Sequence, residues 1–92
     1  MQWQVTLHPR AQKALAKLPE RIQFMFGLLV KEMRLSGPVR GDWANYGKLG
    51  KNRHHCHIKK GRPTYVAVWE EMDGAIQLIE VTYVGTHEKA PY

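Results

Sequence analysis

Residues 54–60 read HHCHIKK, and this stretch decides how the second half of the chain folds. Successive side chains of a β-strand point to opposite faces of a sheet. Cys56 and Ile58 are apolar, so we expect them to point together into a core. The residues then expected on the opposite, solvent-facing side are His55, His57 and Lys59. The alternation therefore predicts a strand with one buried face and one basic face.

The run of consecutive histidine and cysteine side chains within this stretch also suggests metal ligands. Adjacent residues of a regular strand point in opposite directions, so they cannot all reach one ion. Tetrahedral zinc motifs usually separate their ligands by two or more residues. We therefore expect no metal site and no cofactor.

The first half of the chain has a different pattern. Residues 2–8, QWQVTLH, alternate between apolar and polar side chains and predict a half-buried strand. Residues 9–17 are rich in helix formers and predict a short helix that begins at Pro9. Residues 19–35 have apolar side chains at helical spacing, which predicts a second, amphipathic helix.

Two further strands are expected after residue 60. TYVAVWEEM (64–72) and AIQLIEVTYVG (75–85) are both rich in β-branched and aromatic residues, while ANYGKLG (44–50) is either a short strand or an extended lead-in. Short connections predict an antiparallel meander. The order predicts an α+β fold, β-α-α-β-β-β, in which an N-terminal strand precedes two helices that pack on one face of a small antiparallel sheet. The other sheet face would stay open.

The bulk composition limits the possibilities further. The chain has 92 residues, which predicts a single domain over 1–92, and its net charge of +6 favours a polyanionic partner: nucleic acid, an acidic protein or an anionic membrane surface. A single cysteine cannot form an internal disulfide, and no apolar run approaches the length of a membrane span. A cytoplasmic protein without a membrane partner is the expectation.

The basic face of the 54–60 strand carries groups that can do chemistry. Imidazoles exchange protons near neutral pH, and an ammonium stabilises a phosphate that gains charge in a transition state. These groups suffice for metal-free RNA cleavage: a base removes the 2′-hydroxyl proton, a cation stabilises the phosphorane, and an acid protonates the leaving 5′-oxygen. The alternatives are a solvated face, or one that binds phosphate without reaction.

Four motifs, taken with the order of elements, resemble the RelE/ParE superfamily of type II toxin–antitoxin toxins. They are YGKLG (46–50), HCHIKK (55–60), PTYVAVWE (63–70) and VGTHEKAPY (84–92). The resemblance is to the RelE, YafQ and HigB branches, small endoribonucleases that cut mRNA in the ribosomal A site and thereby inhibit translation. It implies a ribosome-dependent mRNA interferase, a hydrolase without a cofactor.

The resemblance also implies site residues. The catalytic positions would be His57, Lys59, Arg62, His87 and Tyr92. His57 and His87 would share the acid and base roles, with their order open. Val66 stands where RelE has a strand arginine, so Arg62 in the preceding turn would supply the cation. The expected RNA-binding residues are Lys48, Lys51, Arg53, His55 and Lys89.

Partners follow from the same resemblance. They would be the ribosomal A site with its mRNA and rRNA, and a cognate antitoxin with an acidic segment and a DNA-binding domain. Two alternatives remain open: a ParE-like inhibitor of DNA gyrase, and a catalytically inactive member that binds only RNA or antitoxin.

Trp43 and Tyr46 could stack on bases or pack in the core, whereas packing is favoured for Trp69.

Overall fold

A computed structural model describes residues 2–72, 74 and 76–92. The elements, in chain order, are β1 (Gln4–Leu7), α1 (Pro9–Ala16), α2 (Glu20–Ser36), β2 (Gly47–Lys48), β3 (Arg53–Lys59), β4 (Tyr65–Glu71), β5 (Leu78–Thr86) and a 3₁₀ turn (His87–Lys89). The predicted α+β class and the order of elements are confirmed, and the 44–50 segment contributes the short strand β2. Ala75, which begins the last predicted strand, lies outside the described residues.

Local signals set the helix boundaries. The Nδ1 atom of His8 accepts a hydrogen bond of 3.1 Å from the Arg10 N–H, which caps α1, and Pro9 occupies the first turn. Helix α2 ends at Gly37, whose φ of 92° favours glycine. A Cβ at position 37 would also lie 3.0 Å from the indole nitrogen of Trp3. Glycine at position 37 therefore permits both the backbone conformation that ends α2 and the close contact with the Trp3 ring.

The core lies between the helices and one face of the sheet. Helix α2 contributes Ile22, Phe26, Leu29 and Met33, all of them buried. Full burial of side chains of this size contributes about 1.5–3 kcal/mol each. The sheet residues that meet them include Cys56, Ile58, Ala67, Trp69, Ile79, Val81 and Val84. The expected packing role of Trp69 is confirmed, because the residue is fully buried and its indole N–H donates to the Pro38 carbonyl over 2.9 Å.

The sheet has five strands in the order β1-β5-β4-β3-β2. Neighbours from β5 to β2 are antiparallel, as expected, but β1 pairs with β5 in parallel, from Gln4 opposite Leu78 to Leu7 opposite Val81. The sheet is therefore mixed rather than wholly antiparallel. Alternation of side chains specifies which face a strand buries, but it does not specify the direction of the neighbouring strand. None of the helices in the described part of the chain is long and apolar enough to cross a membrane.

Candidate active site

The sheet face opposite the helices carries the predicted histidines. His54, Cys56 and Ile58 are buried, whereas His55 and His57 are half-buried on the other side of β3. His55 lies opposite Val68 and His57 lies opposite Val66 on the neighbouring strand β4. Both valines are fully buried although they face away from the helices. Other side chains must therefore cover them, and the valines form the floor of a site.

The C-terminal segment provides this cover. The His87 ring meets the His57 ring edge-on, with 5.4 Å between centroids. The Tyr92 ring stacks on His55 at 4.8 Å and meets His87 edge-on at 6.0 Å. We call His55, His57, His87 and Tyr92 the histidine–tyrosine cluster. The sequence predicted these residues for the site, and the structure brings all four into contact.

The neighbouring strand β2 leaves room for one ring of the cluster. Gly47 lies opposite His55, and a Cβ at position 47 would lie 3.3 Å from the His55 Nε2 atom. The Nδ1 atoms of His55 and His57 are buried and have no hydrogen-bond partner among the described residues.

The electrostatics of the cluster favour neutral imidazoles. Burial lowers the pKa of His57, and the positive charges that His87, Lys60 and His55 can carry lower it further. Burial and then His87 lower the pKa of His55 in the same way. Both effects disfavour the protonated ring. At neutral pH these two imidazoles are therefore uncharged and can accept a proton.

Lys59 stays the predicted cation of the strand, but the pairing of β3 is irregular next to it. The β3–β4 register shifts between His57 and Lys59, so that Lys59 lies opposite Tyr65, whose ring packs against the core. A bulge of this kind interrupts the alternation of side chains. Lys60, which the simple alternation assigns to the buried side, is the lysine whose charge acts on His57.

A surface cavity of about 410 Å³ opens beside the cluster. Arg62 and His87 both line it, so the structure brings the expected turn cation to the same cavity as the expected C-terminal histidine. The remaining lining residues are Gly61, Pro63, Thr64, Thr86 and Glu88. Val66 offers neither charge nor an exposed surface. A catalytic role for Arg62 stays a prediction, which its place in this cavity supports.

The five predicted RNA-binding residues do not all lie on this face, because Lys48 pairs with His54 and so shares the helix side of the sheet. His55 belongs to the cluster itself. Lys48, Lys51 and Lys89 are exposed, and Arg53 is half-buried opposite Glu70 on β4. In the described part of the chain no ring contact or hydrogen bond joins these four residues to the cluster. We call Lys51, Arg53 and Lys89 the charged rim; their role in RNA binding stays a prediction.

A polar network on the helix side of the sheet has no counterpart in the sequence analysis. His54 is fully buried, with Nδ1 at 2.7 Å from the Tyr46 hydroxyl and Nε2 at 2.9 Å from the Glu71 carboxylate. Its ring stacks on Trp69 at 5.9 Å. Tyr46 is therefore engaged in packing rather than base stacking. The partners of His54 come from the segment before β2 and from β4, so no local pattern indicates the network.

Trp43 is also engaged within the protein. Its indole N–H donates to the Glu32 carboxylate over 2.9 Å, and the ring packs against the core.

Among residues 2–72, 74 and 76–92, no three histidine, cysteine, aspartate or glutamate side chains are grouped so as to hold a metal ion. The chemistry available on the open face is thus that of imidazoles, a phenol, an arginine and lysines.

Comparison with known proteins bears on the fold. No family model and no curated protein matches the sequence. Among solved structures, the YoeB dimer from Staphylococcus aureus superposes with a TM-score of 0.71 at 15% identity, covering 95% of this chain and 99% of that one. The archaeal RelE–RelB complex from Pyrococcus horikoshii gives a TM-score of 0.65 at 15% identity, covering 98% of this chain and 100% of that one. This chain therefore has the fold of RelE and YoeB over nearly its whole length.

Proposed function

We propose that this protein is the toxin of a type II toxin–antitoxin system and an endoribonuclease that cuts mRNA on the ribosome. The contact between His57 and His87 carries the proposal, because it sets two proton-transfer groups side by side on a basic face. The shared fold supports it, and so do the closing motif VGTHEKAPY and the net charge of +6.

The environments of the two histidines suggest different roles. His57 is half-buried and neutral, so it takes the 2′-hydroxyl proton as general base. The 2′-oxygen then attacks the adjacent phosphorus to form a phosphorane. His87 is exposed at the cavity and donates a proton to the leaving 5′-oxygen. Positioned proton transfer of this kind contributes roughly 10²–10⁴-fold to a rate.

The remaining groups act on charge and position. Arg62 lines the cavity beside His87 and stabilises the negative charge of the phosphorane. Lys59, as predicted, and Lys60, whose charge acts on His57, add positive charge beside it. Tyr92 stacks on His55 and bounds the site. Burial raises the pKa of Tyr92, so its phenol keeps its proton and can donate a hydrogen bond.

The proposed partners follow from the shape and charge of this face. A shallow, exposed cluster holds a flexible RNA poorly by itself, so the ribosomal A site would position the message and reduce the entropic cost of reaction. A cognate antitoxin with an acidic segment would cover the basic face, and a DNA-binding domain on that antitoxin would repress the operon. The RelE structure above was determined as a complex with RelB.

Primer extension on a translated message after induction tests the proposal. We expect cuts in A-site codons with the wild-type protein and a loss of about 100-fold or more with His87→Ala. His8→Ala is the matched control, because His8 caps α1 and does not belong to the cluster. An absence of A-site cuts, or undiminished cuts with His87→Ala, would contradict the mechanism. Inhibition of purified gyrase in a supercoiling assay would support the ParE-like alternative instead.

A further inference from the structure

Tyr83 lies on the same sheet face as the histidine–tyrosine cluster but has no role in the mechanism above. It lies opposite Val68 on β4, and Val68 in turn lies opposite His55. The Tyr83 hydroxyl donates a hydrogen bond of 2.7 Å to the Thr86 carbonyl. That carbonyl belongs to the peptide group that leads directly into His87.

Both polar groups of this peptide are held. Tyr83 binds its carbonyl, and the His87 N–H donates to the Thr64 carbonyl over 2.8 Å. A peptide group is planar, so fixing both its oxygen and its N–H fixes the plane. The peptide that precedes the His87 Cα atom is thus held at both ends, and the His87 ring that follows it contacts His57.

Gly85 makes the hydrogen bond of Tyr83 possible. A Cβ at position 85 would lie 2.8 Å from the Tyr83 hydroxyl oxygen and 3.0 Å from the ring carbon that bears it. Both distances are shorter than a normal non-bonded contact. The Tyr83 ring therefore crosses the strand over the position where a side chain is absent. Any larger residue at position 85 would displace the Tyr83 ring from this position.

We infer that Tyr83 is a positioning residue for the proposed RNA cleavage, which holds the Thr86–His87 peptide so that the His87 imidazole faces His57. The inference rests on the proposed function for its catalytic consequence. Its structural part, the position of the His87 ring, stands on the hydrogen bonds alone. Tyr83 acts through the backbone and is not itself a reacting group.

Tyr83→Phe is the direct test, because it removes the hydroxyl and keeps the ring. The structural readout is the nuclear Overhauser effect between the ring protons of His57 and His87 in labelled protein, which we expect to weaken or vanish. The kinetic readout is cleavage of a ribosome-bound message, which we expect to fall about 10- to 100-fold, since small misplacements of reacting groups cost this much. Binding of the message and the melting temperature should change little.

Tyr65→Phe is the matched control. Tyr65 lies opposite Thr86 on β4 but packs on the helix side, and its hydroxyl makes no hydrogen bond within the described residues. This variant should keep both the ring contact and the cleavage rate of the wild type.

Two combined variants separate positioning from general packing. In a His87→Ala background, Tyr83→Phe should change residual cleavage by less than about twofold, since the group that it positions is absent. Gly85→Ala should reproduce the Tyr83→Phe defect, yet it should add little to Tyr83→Ala, because no ring then occupies the space above it.

The inference is overturned if Tyr83→Phe leaves the ring contact and the cleavage rate unchanged. It is equally overturned if Tyr83→Phe slows cleavage as much without His87 as with it. If the wild-type protein cuts no RNA, the proposed function fails. The effect of Tyr83→Phe on the contact between the His57 and His87 rings would still show whether Tyr83 positions His87.

Discussion

His57 combines three properties at the residue scale: a buried ring nitrogen without a hydrogen-bond partner, an edge-on contact with a second imidazole, and a lowered pKa. Each property follows from the position of the residue on β3, with Val66 beside it and the C-terminal segment above it. The folded protein therefore disfavours the charged form of this histidine, which makes stability depend on pH.

The first prediction concerns stability in acid. The pKa of His57 lies below its ordinary value of 6.5 in the folded protein, and that of His55 is lowered too. As the pH falls through 6.5, the unfolded chain binds protons that the folded chain does not, so stability is lost on the acid side and retained above it. The free energy of unfolding can be measured by urea denaturation at about pH 7.5 and about pH 5.5. Between these two pH values it should fall less for the double variant His55→Gln/His57→Gln than for the wild type.

The control for this measurement is Gln12→Ala, an exposed position on α1 that carries no titratable group. It should lose the same stability on acidification as the wild type. An equal loss in the double histidine variant would show that the acid sensitivity arises elsewhere in the molecule.

The residues of the cluster were largely predictable from the sequence, because a strand alternates and the closing motif resembles a known one. His55, His57, His87 and Tyr92 all lie on the predicted face. Tyr83 was not predicted, because its contribution depends on one hydrogen bond and on the absence of a side chain at Gly85. Neither feature has a periodic signal.

At the scale of elements, the pairing of β3 with β4 shifts by one residue next to the two lysines that follow His57. One inserted residue does not alter the composition of a strand, so the sequence offers no sign of where the alternation breaks. The structure locates the break between His57 and Lys59, and it brings the charge of Lys60 to bear on His57.

The second prediction concerns which of two adjacent lysines acts on the pKa of His57. Lys60→Met removes a positive charge that lowers the pKa of His57, so the pKa of that imidazole should rise. Lys59→Met removes an equal charge one residue earlier and should leave the His57 titration as it is in the wild type. Titration of the ring protons by NMR measures both. A larger rise with Lys59→Met would mean that β3 continues without the bulge.

The buried network around His54 lies on the side of β3 that faces the helices, opposite the histidine–tyrosine cluster. His54→Ala would leave a cavity beside Trp69 and remove the partners of Tyr46 and Glu71. We expect the free energy of unfolding to fall by about 3 kcal/mol. His8→Ala, which removes only a helix cap, should cost about 1 kcal/mol. Equal losses in urea denaturation would show that the network contributes no more than the cap does.

At the scale of the whole molecule, the charge of +6 would serve the proposed RNA binding only where it lies near the open face. The charged rim is the part of it that we expect to contact RNA, whereas Lys13 and Lys17 lie on or next to α1 on the helix side. A phosphate backbone that binds the open face would release counterions from the rim and not from the helices.

The fourth prediction compares two charge reversals in a His87→Ala protein that binds without cutting. Lys51→Glu/Lys89→Glu should weaken binding of single-stranded RNA about tenfold or more, and should flatten its salt dependence by roughly one to two in the log–log slope. Lys13→Glu/Lys17→Glu changes the net charge equally and should have the smaller effect. Fluorescence anisotropy over a salt series measures both. Equal effects would indicate that only total charge matters.

The parallel pairing of β1 with β5 has a consequence for synthesis of the chain. Gln4 meets its partner Leu78 only after nearly the whole sequence has been made, so the sheet cannot be completed on a partial nascent chain. Strand β5 also leads into His87, which closes the histidine–tyrosine cluster. The topology therefore delays assembly of the proposed cleaving surface until β5 and the residues that follow it have been synthesised.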